Sequence, residues 1–518
     1  MPADDVAHPD TRRDRIAWIA ACLILLLALL LRLLYLAAEP LDLDEFWNLQ
    51  LTSGRGTVHE SVSVNQIHRP ASATGLADAL PWWRIPGSLD RVTHPPLFSI
   101  ALRWWRGAIG EGDASARLLG AILSAITVIP LFAAGRNLHG RCVGLWAAAL
   151  FAVAGAQIDG AQQIRPYPLL ILLGASGVWL LSDIERLGWR WWKGALAAGI
   201  CLAAVLTHYF AAPLLTALAI EATLRLKRDR LKLAGAGLAA AVIFCVAWGP
   251  MLLRQRAVSR EAAFWVANRD AQPVTATLLD ALMAPARLFF EPPESARPMA
   301  AALVIALAII VIMAARRRWA EFRLWLLLLA GTIGFTLVLD LANNTSMLRL
   351  IRYSLPAGPA VYMIVALLGA RRGKLTAFAL PAGLTIACLV ALPGAYNRPN
   401  VDFRPMAAYL DRVAGDRNGI VVFHRLPNWT WHAGFQWVTW SHYSRHGPDE
   451  SPRVLFLDEP PPALVMEPLR HAGRFVLVGR AEDRRWLDSI PGARVTSRQE
   501  FPGAGVVVEM SFDGGGNP

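Results

Sequence analysis

Apolar runs of membrane-spanning length alternate with short polar connections along most of this 518-residue chain. Residues 16–38 form the first run, almost uninterrupted, and at about 1.5 Å per residue it is long enough to cross a hydrocarbon core of roughly 30 Å. Further runs at about 114–135, 143–158, 168–185, 193–207, 209–226, 231–251, 299–315, 321–340, 353–370 and 374–393 bring the expected number of spans to about eleven. Two stretches interrupt this rhythm, an outer loop over 39–113 and another over 252–298 that is rich in Arg, Pro and Phe. Long loops of this kind are often lids or binding loops. Within the first, residues 95–110 are amphipathic, with Arg103, Trp104, Trp105 and Arg106 grouped as in a helix lying on a bilayer surface.

From Tyr396 the pattern changes. Short apolar runs at 419–423, 454–457, 475–479 and 506–510 predict strands, and helical patterns fall near 404–414, 461–471 and 482–489. Residues 396–518 are therefore expected to form a small α/β domain outside the membrane. Between Asn428 and Tyr443, Trp429, Trp431, Trp437 and Trp440 interleave with His432 and His442. Such a segment either stacks on sugar rings or packs into the domain and docks it on the bilayer, and the second is favoured.

Composition agrees with a polytopic membrane protein: 55% of residues are hydrophobic and only 17% charged, which excludes a single soluble globule. The net charge of +12 would suggest nucleic acid in a soluble chain, but here the basic residues gather in short loops. Arg136 and Arg141, Arg186, Arg190 and Lys193, Arg225 to Lys232, Arg316 to Arg323, and Arg371 to Lys374 all fall on the side of Arg12, Arg13 and Arg15. That asymmetry makes the N-terminal side cytoplasmic and reports topology, with no nucleic-acid partner. The first run is too long for a signal peptide and no cleavage pattern follows it, so it is expected to remain as an anchor. The five cysteines have no paired spacing, so neither disulfides nor a zinc site is indicated. Gly235-Ala-Gly237 lies within an apolar run and reads as close helix packing, not as a nucleotide loop.

The candidate chemistry lies on the outer side. Asp42, Asp44 and Glu45 follow the first span, in Leu-Asp-Leu-Asp-Glu-Phe-Trp-Asn. The topology puts on the same side His94 in Thr-His-Pro-Pro, Arg165 and Tyr167 in Gln-Gln-Ile-Arg-Pro-Tyr, His208 and Tyr209 in Thr-His-Tyr-Phe, and Arg349, Arg352 and Tyr353. Carboxylates together with cations suit glycosyl transfer from a lipid phosphate: a carboxylate takes the proton from an attacking hydroxyl, and cations neutralise the departing phosphate. One essential carboxylate suffices, because phosphate leaves without protonation, whereas glycoside hydrolysis usually needs two. Bland roles stand beside these. The acidic stretch can be a solvated loop, His94 can cap the next helix, His208 can satisfy backbone carbonyls, and the arginines can snorkel to headgroups. Arg165, Arg349 and Arg352 nevertheless break the positive-inside pattern, which favours a phosphate role for at least one.

Seven motifs in order carry a resemblance: Asp44-Glu45; His94-Pro-Pro-Leu-Phe; Ala116-Arg-Leu-Leu-Gly-Ala; Gly135-Arg-Asn-Leu-His-Gly; Gln162-Gln-Ile-Arg-Pro-Tyr-Pro-Leu-Leu; Thr207-His-Tyr-Phe; and Arg352-Tyr-Ser-Leu-Pro. Over roughly residues 15–370 the chain resembles the GT-C superfamily of polyprenyl-phosphate-sugar-dependent glycosyltransferases. The likeness is to the bacterial branch related to protein O-mannosyltransferases and the lipid A aminoarabinose transferase. It implies that Asp44 is the catalytic carboxylate with Glu45 beside it, that Arg165 is the basic residue of the family's Gln-Glu-Ala-Arg-x-Tyr pattern, and that His94 stands where aminoarabinose transferases carry a lysine facing the lipid phosphate. Gln163 departs from the family's Glu. Thr93 replaces the Glu of aminoarabinose transferases, so the resemblance carries no metal to that position and leaves a divalent cation open.

The expected protein is thus an α-helical polytopic membrane protein of GT-C type with a small C-terminal α/β domain. It sits in the inner membrane with its N-terminus cytoplasmic and its last domain periplasmic. Its expected activity is transfer of a sugar, hexosyl or pentosyl, from an undecaprenyl-phosphate donor to a lipid, glycan or protein. Asp44 and Glu45 are the catalytic candidates, His94, Arg165, Arg349 and Arg352 the phosphate ligands, and Asp42, Tyr167, His208, Tyr209 and Tyr353 further candidates. The alternative is a transporter or flippase of a lipid-linked sugar, which would favour ionisable residues at the bilayer midplane and repeated halves. The ionisable residues here cluster at helix mouths and no repeat is visible. A relative that has lost catalysis and serves assembly is a third reading, against which the retained acidic pair argues.

Overall fold

The computed structural model describes residues 11–262, 273–292, 294–370, 374–415, 418–425, 430–446, 450–458, 462–480 and 490–512. The helices in chain order are α1 (Thr11–Leu33), α2 (Leu43–Leu51), α3 (Leu97–Ile109), α4 (Asp113–Ile126), α5 (Val128–His139), α6 (Arg141–Val153), α7 (Gly155–Ala161), α8 (Tyr167–Leu187), α9 (Trp191–Thr207), α10 (Ala211–Arg225) and α11 (Arg230–Ala262). Then come α12 (Val274–Arg287), α13 (Arg297–Arg317), α14 (Trp319–Leu329), α15 (Phe335–Asn343), α16 (Gly358–Ala370), α17 (Lys374–Ala395), α18 (Arg404–Val413), α19 (Thr430–Tyr443) and α20 (Ala463–Ala472). The chain divides into two units.

The first unit comprises residues 1–36, 93–98 and 114–398 and holds the membrane helices. Each run predicted to span is helical over most of its length, the first ending at Leu33 and not at residue 38. Among the described residues seven helices are long and apolar enough to cross a bilayer, and eight if α6 and α7, bent by 59° at their junction, count as one span. The expected spans at 193–207, 209–226 and 353–370 correspond to the shorter helices α9, α10 and Leu355–Ala370. Exposed Leu, Ile and Val side chains on α1, α11, α13 and α17 are the lipid-facing surface such helices require. The protein is therefore a multi-pass membrane protein. Phe132, Phe151, Phe322, Trp325 and Tyr362 fill the middle of this unit. Where α5 crosses α6, a Cβ added at Gly135 would lie 2.6 Å from the Cα of Gly144, so only glycine permits the contact. In the stretch read as the loop 252–298, α11 continues to Ala262 and residues 274–287 form α12.

The second unit comprises residues 37–92, 99–113 and 399–518. Its sheet holds β1 (Ile67–His68), β2 (Ile420–His424), β3 (Arg453–Leu457), β4 (Arg474–Gly479), β5 (Ala493–Phe501) and β6 (Gly505–Phe512), in the order β1-β3-β2-β4-β6-β5. β2 pairs in parallel with both β3 and β4, and the other pairings are antiparallel. Alternation along the central strands feeds two layers. Ile420, Val422, Leu455, Leu457 and Leu477 pack with Val465 and Leu469 of α20. Phe423 and Phe456 stack on the opposite face at 5.6 Å and meet Trp440 and Trp437 of α19.

Trp437 and Trp440 are thus core residues, and Trp440 donates its indole N–H to Asp411 at 2.8 Å. Trp429 and the helical pattern at 482–489 lie outside the described residues. The predicted strands and the helices at 404–413 and 463–472 form, and α19 and β5 were not anticipated. Loop 57–60 packs so tightly on α19 that a Cβ at Gly434 would stand 2.0 Å from the carbonyl oxygen of His59.

Candidate active site

The first unit gathers His94, Tyr167, His208 and Tyr353 into one aromatic cluster. The rings of His94 and His208 are 5.1 Å apart, those of Tyr167 and His208 5.3 Å, and those of Tyr167 and Tyr353 6.4 Å. Phe210 closes the group, 5.0 Å from His208 and 5.5 Å from Tyr353. The guanidinium of Arg352 lies over Tyr353 at 5.3 Å. Tyr209 points elsewhere: it receives the indole N–H of Trp248 at 2.8 Å and donates to Gln255, whose amide in turn donates to the His94 carbonyl at 3.2 Å. Tyr209 and Gln255 therefore set the backbone of His94.

His208 terminates α9 in an extended conformation, in the turn before α10 and outside both helices. Its Nδ1 accepts the backbone N–H of Phe210 at 3.1 Å. Burial holds its pKa well below the ordinary value, and the fields of His94 and Arg165 act in the same direction. A neutral ring that accepts at Nδ1 carries its proton on Nε2. That Nε2 is buried and has no hydrogen-bond partner among the described residues, so a donor stands ready beside His94 and Tyr167.

Arg165 is buried, 6% exposed, and its position follows from the break between α6 and α7. Ala154 is extended there, leaving the last carbonyls of α6 without intrahelical donors. Arg32 of α1, wholly buried, supplies them: Nη1 donates to Ala152 at 3.0 Å and Nη2 to Phe151 at 3.2 Å, while Nε donates to Ser124 at 2.8 Å. From the far end of α7, the Gln162 amide donates to the carbonyls of Arg32 at 3.0 Å and Leu34 at 2.6 Å. Arg398 pairs with Asp159 and donates to Gln162 Oε1 at 3.0 Å. Gln163, where the family pattern has Glu, donates to both Asp159 oxygens at 3.2 Å. These contacts fix the turn that carries Arg165.

The segment with Arg349 and Arg352 is likewise held from below. The carboxylate of Asp340, 2% exposed, accepts the Thr345 hydroxyl at 2.5 Å and the N–H groups of Met347 and Leu348 at 2.8 and 2.9 Å. Arg287 donates to the carbonyls of Leu348 and Arg349 at 3.2 and 3.0 Å. Arg349 itself is exposed, unlike the clustered residues. Ile171, Gly174, Leu214, Trp325, Pro356 and Pro359 line a small apolar recess.

The three carboxylates after α1 belong to the second unit. Asp42 is the N-cap of α2: its Oδ1 accepts the Glu45 N–H at 2.6 Å, and Glu45 Oε2 accepts the Asp42 N–H at 3.0 Å. This reciprocal capping box occupies both carboxylates, and Glu45 is fully buried. Asp44 is half-buried in the first turn of α2. At the other end of α2, Arg106 of α3 donates to the Thr52 hydroxyl at 2.5 Å and Arg103 to the Thr52 carbonyl at 3.3 Å. Arg106 is 1% exposed and its donors serve the end of α2, so it does not share an outward-facing surface with Trp104, which is exposed. Among the described residues, no group of three or more His, Cys, Asp or Glu side chains is placed to hold a metal ion.

Sequence reasoning did not find Arg32, Gln162, Asp340 or Gln255. An arginine within an apolar run was the available signal for Arg32.

A helical membrane unit together with a sheet-bearing unit is a fold shared with solved structures. Residues 93–252 match the family model described as dolichyl-phosphate-mannose-protein mannosyltransferase. ArnT from Cupriavidus metallidurans in the apo state is similar over 96% of this chain and 98% of its own, at 13% identity and a TM-score of 0.58. The ArnT structure bound to undecaprenyl phosphate aligns over 97% and 99%, at 12% identity and the same TM-score. No curated protein sequence matches the chain.

Proposed function

We propose that this protein transfers a sugar from a polyprenyl-phosphate donor to an acceptor at the outer face of the inner membrane. The observation that carries the proposal is the buried Nε2–H of His208, held beside His94 and Tyr167. A donor in a desolvated cationic pocket suits a phosphate oxygen. The crystal structure of ArnT with undecaprenyl phosphate supports the same class of lipid.

In this mechanism Asp44 takes the proton of the acceptor hydroxyl as that oxygen attacks the anomeric carbon of the donor. The bond from that carbon to the phosphate oxygen breaks, and the lipid phosphate leaves with both electrons. Arg165, Arg352, His94 and His208 offset the charge that accumulates on it. Asp44 is taken as the base because it stands where the family resemblance places the catalytic carboxylate, while Asp42 and Glu45 cap α2. The test is transfer in proteoliposomes from a set of radiolabelled undecaprenyl-phosphate sugars, comparing the wild type with Asp44→Asn. Label reaching an acceptor only with the wild type supports the proposal. Label that crosses the bilayer on an unchanged carrier, equally in both, means transport instead.

A further inference from the structure

The mechanism leaves unused an exposed aromatic surface of the second unit. Trp82, Trp83 and Trp104 are 40%, 63% and 57% exposed, yet their rings contact one another, Trp82 lying 5.9 Å from Trp83 and 5.2 Å from Trp104. Leu80, at 41%, and Ile109, at 50%, extend the same apolar character. Two segments more than twenty residues apart thus present three indoles to the outside, with Arg84, also exposed, next to Trp83. A soluble protein would rarely leave such a group uncovered.

We propose that this aromatic knuckle inserts into the headgroup layer of the bilayer. Two observations choose lipid as its occupant. Ile109 is followed after three residues by Asp113, where the membrane span Asp113–His139 begins. Four residues of chain reach at most about 14 Å, so the end of α3 stays within that distance of the start of the span. Indoles prefer the headgroup depth, and the cation of Arg84 complements anionic headgroups.

The knuckle is also tied to α2. Leu80 N–H donates to the Ser53 carbonyl at 2.9 Å, just past the end of that helix, and α3 reaches the same place through Arg103 and Arg106. Trp104 thus faces outward from the helix whose other side grips Thr52. The lipid contact fixes the depth at which α2 and Asp44 sit.

The experiment is tryptophan fluorescence of the full-length protein reconstituted in vesicles of phosphatidylcholine and phosphatidylglycerol. Bromine is placed either near the headgroups or deep in the acyl chains, and iodide serves as the aqueous quencher. Trp82→Phe, Trp83→Phe and Trp104→Phe are made singly and together, and each emission is subtracted from that of the wild type, which has 20 tryptophans. Because these side chains are exposed, the single variants should elute and melt like the wild type. The expected result is that more than half of the subtracted emission is lost to shallow bromine and that iodide scarcely affects it. A subtracted emission that iodide quenches and bromine does not would overturn the proposal. So would emission shielded from iodide only when a soluble oligosaccharide is added, which would make the knuckle a sugar-stacking surface.

Discussion

Arg32 and Gln162 secure each other's helices. The guanidinium of Arg32 closes the carbonyl end of α6, and the amide of Gln162, which ends α7, closes the carbonyl end of α1. Each side chain answers main-chain groups on the other's segment, so the break in the membrane helix is locked from both directions.

Replacing Arg32 by leucine removes the donors to Phe151, Ala152 and Ser124 and leaves buried oxygens without partners. The expected loss of stability is roughly 2–3 kcal/mol. Thermal unfolding of the purified protein in detergent measures it. Melting unchanged from the wild type would show that the guanidinium is not needed to hold the break.

At His208, asparagine retains an acceptor for the Phe210 N–H through the local geometry that Asx residues favour, but it lacks the distant donor. His208→Asn is expected to lower kcat/KM for the polyprenyl-phosphate donor by about 10–100-fold with little change in melting temperature. Steady-state kinetics decide it. Full activity in the variant would remove the Nε2–H from the site.

The three carboxylates of the α2 segment should separate. Asp44→Asn is expected to reduce transfer by about 10²–10⁴-fold at unchanged stability. Asp42→Asn retains a capping side chain and should have little effect on either property, whereas Asp42→Ala should cost about 1 kcal/mol of stability. Activity and melting curves of the three variants test the division. A catalytic loss confined to Asp42→Asn would reassign the base.

Acid should weaken the second unit through its buried histidines. Burial holds His59 at a pKa of about 3, and burial together with the field of Arg480 holds His432 at about 4. Both are neutral when folded, whereas the unfolded chain takes up protons near pH 6.5. Stability contributed by the neutral rings is therefore fully present above about pH 6.5 and falls as pH drops toward the folded values, by up to about 1.4 kcal/mol per pH unit for each histidine. Glu60, whose pKa burial raises, acts in the opposite sense just above its ordinary value. Comparing the loss of melting temperature from pH 7 to 5 in the wild type and in His59→Gln isolates the first histidine. An equal loss in both would show that His59 does not carry the effect.

Much of this architecture was legible because a bilayer forces about twenty apolar residues into each crossing. The parallel strands were legible for a similar reason: Val421, Val422 and Phe423 are buried on both faces. β5 was not, because Ala-Arg-Val-Thr-Ser-Arg-Gln-Glu-Phe is largely polar and exposed along its length. α19 was hidden by its tryptophans, which do not distinguish helix from strand by pattern alone. Topology was enough to bring His94, Tyr167, His208 and Tyr353 under consideration together, because all sit at helix mouths on one predicted side. Arg32, Gln162 and Asp340 act on main-chain groups, which carry no residue identity, and so they left no pairing signal in the sequence.

β1 consists of Ile67 and His68, and it pairs with Leu455 and Val454 at the edge of the sheet. A strand from the first loop thus completes a layer whose other members are made nearly four hundred residues later. During synthesis that loop must wait, unpaired, while the membrane helices are laid down. A fragment beginning at the sheet's own first long strand would emerge with a bare edge and a tendency to join other copies of itself. Closure of the second unit is therefore a late event of biogenesis that needs segments far apart in the chain, and removal of either segment should be read as a failure of the same assembly step.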